Sequence, residues 1–90
     1  MGDSTPLRVQ NQSWLNMNIY AVVSGGQRVR IGSVAGNTTA VLQIPSQIVG
    51  IGRDLSFIAD PVGSSNVATS FNMYVRPGEQ ITLTIPPSVR

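Results

Sequence analysis

Residues 16–34 read Asn16-Met17-Asn18-Ile19-Tyr20-Ala21-Val22-Val23, then Ser24-Gly25-Gly26, then Gln27-Arg28-Val29-Arg30-Ile31-Gly32-Ser33-Val34. In the first run Met17, Ile19, Ala21 and Val23 fall on one side, and Asn18, Tyr20 and Val22 on the other. This period of two is that of an extended strand. In the second run Val29 and Ile31 alternate with Arg28 and Arg30. Between them stands a turn in which either glycine can take a positive φ at no steric cost. The stretch predicts a β-hairpin.

The same alternation extends in both directions. Upstream, Leu7 to Gln12 sets Leu7 and Val9 on one face. Downstream, after an Ala35-Gly36-Asn37 turn, Thr38 to Ile44 aligns Ala40, Leu42 and Ile44, and Pro45, which has no backbone donor, ends the strand. Ser46 to Asp54 has no clean period and reads as a connection with one helical turn that crosses between sheets. Leu55 to Asp60 resumes with Leu55, Phe57 and Ala59, and a loop follows at Pro61 to Asn66. The last pair, Ser70 to Val75 and Gln80 to Ile85, flanks Arg76-Pro77-Gly78-Glu79, the residue order of a type II turn. No segment has helical periodicity. Short strands with mostly one apolar face predict an all-β domain, a seven-stranded antiparallel β-sandwich, with a small closed β-barrel as the alternative. Residues 1–6 are expected to form a flexible arm, 7–86 the domain and 87–90 a tail.

Ninety residues suffice for one domain that buries roughly 60–65% of its unfolded surface. There is no cysteine, so apolar packing and the backbone ladder carry the fold unaided. Only 11% of residues are charged, against about 25% in typical globular chains. With its many hydroxyl and amide side chains, this composition points to an extracellular or cell-envelope protein. The pI near 10 rests on a net charge of only +2. Without lysine or a basic run, the footprint of a nucleic-acid binder is missing. No run approaches the roughly 20 apolar residues of a membrane span, and Met1-Gly2 is compatible with an expression start that replaces an export signal.

Certain segments resemble a family of small exported bacterial domains, often lipoprotein-like and uncharacterised, with a β-sandwich similar in look to transthyretin-like or immunoglobulin-like modules. They are Asn11-Gln12-Ser13-Trp14, Ile19-Tyr20-Ala21-Val22, Gly25 to Gly32, Ile44-Pro45, Ala59 to Ser64 and Arg76-Pro77-Gly78. The resemblance spans about Val9 to Ile85 and consists of turn and core chemistry. It implies a fold and export, often with a lipidated cysteine ahead of the domain, and brings no catalytic set.

The inventory of side chains bounds the chemistry. The chain has no His, Cys or Lys, which removes triads built on His or Cys, Schiff-base and Ser-Lys mechanisms, and imidazole or thiolate metal sites. No enzyme activity and no cofactor are expected. Asp54 and Asp60, the only acids near one another in sequence, flank a strand of about 20 Å, too far apart for a two-carboxylate hydrolase. Asp60 is expected to cap an Asx-turn ahead of Pro61, in preference to joining Ser64, Ser65 and Asn66 around calcium. The glycines of Val49-Gly50-Ile51-Gly52 read as a crossover, in preference to a phosphate cradle. Asn11-Gln12-Ser13 and Asn37-Thr38-Thr39 match the N-glycosylation pattern, which matters only in a eukaryotic secretory pathway, and the bacterial resemblance implies a chance match. Trp14 reads as a core or sheet-edge anchor, in preference to a ligand platform.

What remains is a surface. Tyr20, Val22, Val41 and Ile58 alternate with core positions and so face outward, as Tyr74 does, and Arg28 and Arg30 point the same way from one strand. Strand edges without lysine are open to pairing. These residues are the expected interaction surface of a non-catalytic structural or protein-interaction module that binds a protein partner or a second copy of itself. The alternative is a small module for a glycan or an acidic ligand, held on Tyr20, Tyr74 or the two arginines. Because no competent metal site is expected, a chelator should leave the melting temperature unchanged. A large drop would place a bound cation in the Asp54 to Asp60 region.

Overall fold

The computed structural model describes residues 4–23, 26–63 and 68–87. Seven strands and one short helix follow in the order β1 (Thr5–Asn11), β2 (Met17–Val22), β3 (Arg28–Val34), β4 (Thr39–Ile44), α1 (Ser46–Val49), β5 (Arg53–Pro61), β6 (Thr69–Val75) and β7 (Ile81–Ile85). They form a sandwich of a 3-stranded sheet, β4-β1-β7, and a 4-stranded sheet, β3-β2-β5-β6. There is no closed barrel.

Every strand pair is antiparallel except β1 with β7, which run parallel in register from Leu7↔Ile81 to Asn11↔Ile85. Pattern cannot disclose this pair, because it joins opposite ends of the chain. The expected hairpin of β2 and β3 is present, and the connection through α1 crosses between sheets. The last two strands depart from expectation. The turn at Arg76 to Glu79 forms, with Glu79 N donating to Arg76 O at 3.2 Å and Gly78 at φ 76°. It does not close a hairpin, because β6 and β7 belong to different sheets. Gly78 N donates to the buried Thr5 hydroxyl at 3.0 Å, which ties this corner to β1. Strand β1 therefore starts at Thr5, inside the expected arm. At Pro6 only β4 is alongside, since β7 joins at Leu7, so the missing donor interrupts at most one ladder.

The inner faces supply the core: Leu7 and Val9 from β1, Met17, Ile19 and Ala21 from β2, and Leu55, Phe57 and Ala59 from β5 are all buried. Ile48 and Val49 of α1 are buried with them. In β3 the expected alternation holds only to Ile31. The register shifts between Ile19 and Tyr20, whose partners on β3 are Gly32 and Arg30, so Ile31 is an extra, bulged residue. Beyond it Gly32 and Val34 fall in line with the inward Ile19 and Met17. Gly32 leaves room for Leu42 of β4, whose Cδ2 would lie 3.0 Å from a Cβ there. The two sheets close on each other along this flank.

A polar knot fastens one end. Asn11, the last residue of β1, is only 2% exposed. Its Nδ2 donates to Leu15 O at 2.8 Å and to Ala35 O at 3.2 Å, and its Oδ1 accepts from Ser13 N at 3.0 Å. Asn37 N donates to Ser13 O at 2.8 Å, and Gly36 N to Asn16 Oδ1 at 2.9 Å. Gly36 comes so close that a Cβ would lie 2.2 Å from Trp14 O. One side chain thus joins the β1–β2 and β3–β4 crossovers. The Asn11 amide is fully used inside the fold, so the Asn11-Gln12-Ser13 match has no amide to offer a glycan on the folded chain. Asn37, at φ 57°, is exposed.

Asn11→Ala leaves two carbonyls and an amide without their partner, so it should lower unfolding free energy by about 3 kcal/mol. Gly36→Ala should also destabilise strongly, by forcing backbone apart. Thr38→Ala removes an exposed hydroxyl bonded to Ala35 O at 2.7 Å, and should cost less than about 1 kcal/mol. Urea titration of the three variants checks the order.

Candidate interaction surface

Strand alternation and the ladder registers fix what the outer face of the 4-stranded sheet presents. At its centre Tyr20 of β2 stands between Arg30 of β3 and Ile58 of β5, with Ser70 of β6 beyond Ile58. In the next row Val22 lies between Arg28 and Ser56, followed by Asn72. On the other side of Tyr20 the row is Ser33, Asn18 and Asp60. At the far corner Tyr74 stands opposite Asp54. Tyr20, Val22, Ile58, Tyr74, Arg28 and Arg30 therefore share one face. Val41 does not: it lies opposite Arg8 on the outer face of the other sheet, 53% exposed. The pattern shows that Val41 points outward but not from which sheet.

Within this face Tyr20, Val22 and Ile58 are half-buried, as neighbouring side chains cover each other, while Arg28, Arg30 and Tyr74 are exposed. Polar neighbours hold the surroundings in place. Arg30 Nη2 donates to Asn18 Oδ1 at 3.2 Å, and Ser56 Oγ donates to Asn72 Oδ1 at 2.6 Å. The Arg76 guanidinium carbon lies 5.8 Å from the Tyr74 ring centroid, within cation–π range. The same tyrosine hydroxyl lies 2.8 Å from where a Cβ would stand on Gly52, a residue at φ 115°. Tyr74 is thereby tethered at its corner. With strands about 4.8 Å apart and outward residues about 6.8 Å apart along each strand, Tyr20 and Tyr74 are separated by about 17 Å. They cannot grip one sugar ring together.

Other candidates resolve differently. Asp54 and Asp60 both lie in β5, about 20 Å apart along the strand, well beyond the carboxylate separation of glycoside hydrolases. Asp60 and Pro61 do not open the loop in an Asx-turn. They continue β5, Asp60 opposite Asn18 and the buried Pro61 opposite Met17, and the Val62 amide that an Asx-turn would use donates instead to Asn16 O at 2.9 Å. Of the alternative calcium set, Ser64, Ser65 and Asn66 lie outside the described residues. Among the described residues no three acidic, His or Cys side chains gather around a common point, and no helix is long and apolar enough to cross a membrane. Gly50 and Gly52, at φ 60° and 115°, end α1 and turn the chain toward β5. The helix precedes these glycines, so no helix N-terminus faces their amides.

Trp14, Ile51 and Val62 are exposed apolar side chains outside the expected surface, and the first two are the most exposed. Trp14, expected as an anchor, is 67% exposed, because the bend that seats Ser13 and Asn11 inside turns its neighbour out. Its backbone carbonyl lies against Gly36 at the end of the sandwich where Gln10, Gln12, Asn37 and Thr38 line an open polar hollow of about 280 Å³, a lining that does not include the indole. Ile51 is 98% exposed between the two positive-φ glycines. Neither lies in an alternating segment, so periodicity says nothing of their direction. No protein-family model matches the chain, and neither a curated protein nor a solved structure matches it.

Proposed function

We propose that this domain is a non-catalytic structural or protein-interaction module that works outside the cell or in its envelope. The observation that carries the reading is the outer face of the 4-stranded sheet, where Tyr20, Val22 and Ile58 are contiguous and Arg28 and Arg30 border them on the β3 side. Aromatic and arginine side chains around a small apolar centre are the composition that concentrates binding energy at protein interfaces. The absence of His, Cys and Lys from the sequence supports a role without covalent or metal chemistry. The low charge and the abundance of hydroxyl and amide side chains support the extracellular or envelope setting.

A photo-cross-linking residue at position 58, in cells of the native host, should capture a defined protein. One at position 41, on the opposite face, should not. Tyr20→Lys should abolish the capture by placing a charge at the centre of the patch. Equal capture from both faces, or none, would remove the reading.

The second reading, glycan binding, draws on Trp14, whose exposed indole offers a stacking surface at the end of the sandwich that also carries a hollow lined by amide and hydroxyl side chains. On this reading the sugar site leaves Tyr20 and Tyr74 for the end of the sandwich. Fluorescence of the single tryptophan should be that of a solvent-exposed indole and strongly quenched by iodide. Protection from iodide by neutral oligosaccharides, lost in Gln12→Ala, would establish this second reading.

A further inference from the structure

We infer that β6 is a self-pairing edge, and that two copies of the chain join β6 to β6 in antiparallel register about a two-fold axis at Asn72. This goes beyond the reading of the outer face as a docking surface, adding a contact between two copies at the sheet edge, which stands or falls by its own test.

Among the described residues four strands have a free edge: β3 and β6 in one sheet, β4 and β7 in the other. A symmetric antiparallel pair must set each residue opposite a partner residue that points to the same side of the sheet. In β6 the seven residues Thr69–Val75 satisfy this at full length. Asn72 meets its own copy, Phe71 meets Met73, Ser70 meets Tyr74 and Thr69 meets Val75. Inward residues face inward ones, and the strand carries no charge, proline or glycine to oppose the pairing.

The other edges fail this condition or meet it poorly. End-to-end pairing of the six residues of β4 would set the outward Val41 against the inward Leu42, which the pleat forbids. The centre of β3 is the bulged Ile31. Strand β7 offers five residues before Pro86-Pro87.

The β6 flank is also where the sandwich is least closed. β3 packs against β4, while β6 and β7 approach each other less closely. Phe71 and Met73 of β6 and Ile81 of β7 pack on the core but remain half-buried. Continuing the sheet across the axis would cover Phe71 with Met73 of the other copy, a favourable sulfur–aromatic contact, and satisfy the free backbone groups of β6.

The register supplies its own test, because only residue 72 faces itself, at about 5 Å between Cα atoms. In sedimentation over a wide concentration range, the wild-type chain should form dimers. Asn72→Lys, which gives up only the exposed hydrogen bond from Ser56, and Asn72→Asp, which keeps an acceptor for it, should each leave the melting temperature of the monomer near that of the wild type. Each should weaken dimerisation at least about tenfold by like-charge opposition. An equimolar mixture of the two variants should recover a heterodimer, and added salt should weaken it.

A chain that stays monomeric at every concentration, or a mixture that does not recover, overturns the inference. Dimers that survive Asn72→Lys but are lost in Ile58→Lys also overturn it, while leaving the interaction-module reading in place. Failure of the cross-linking at position 58 would strike that reading without touching the β6 dimer.

Discussion

The two sheets of this domain are held in their relative position at one end by the amide of Asn11. Apolar packing between the sheets is strong but has no direction, and inner faces of valine, leucine and isoleucine can slide with little change in buried area. A buried amide is different, since each of its groups needs a partner at a fixed distance and angle. Asn11 spends both amide hydrogens on carbonyls of two separate crossovers and its oxygen on a third backbone group. The crossover chains then lie close enough that only glycine fits at position 36. From this joint the chain departs into β2 of one sheet and β4 of the other.

Alternation carried most of the fold. The inward positions Leu7, Val9, Ile19, Phe57 and Leu83, all legible as period two, are all buried. What alternation cannot express is which neighbour a strand takes. The parallel partnership of β1 with β7 and the change of sheet at Arg76 to Glu79 depend on contacts between distant parts of the chain, and a correct turn reading does not fix them. The bulge at Ile31 was hidden for another reason: it exchanges the inward and outward sets part-way along a strand, and the neighbouring Gly32, which also fits a close approach of Leu42, does not by itself show where the register shifts.

The candidate surface was legible to the same degree. Side-chain direction follows from strand parity, so Tyr20, Val22, Ile58, Arg28 and Arg30 could be read as outward together. Sheet membership does not follow, which is why Val41 fell on the other side. Trp14 and Ile51 lie in bends, where direction is set by particular hydrogen bonds and by positive-φ glycines. Hydrophobicity would have sent both inward; local backbone geometry turned them out.

The parallel pairing of the first and last strands has a mechanical side. Because β1 and β7 run in the same direction, the chain enters β1 at one end of the domain and leaves β7 at the other. Tension between the two ends therefore acts along the strands, in shear, and loads the ladder from Leu7↔Ile81 to Asn11↔Ile85 all at once. An antiparallel terminal pair, pulled at a common end, would open one bond at a time like a zip. This fold places its first and last strands in the geometry that resists stretching, and a chain extended by tethers at both ends would yield only when the whole ladder fails together.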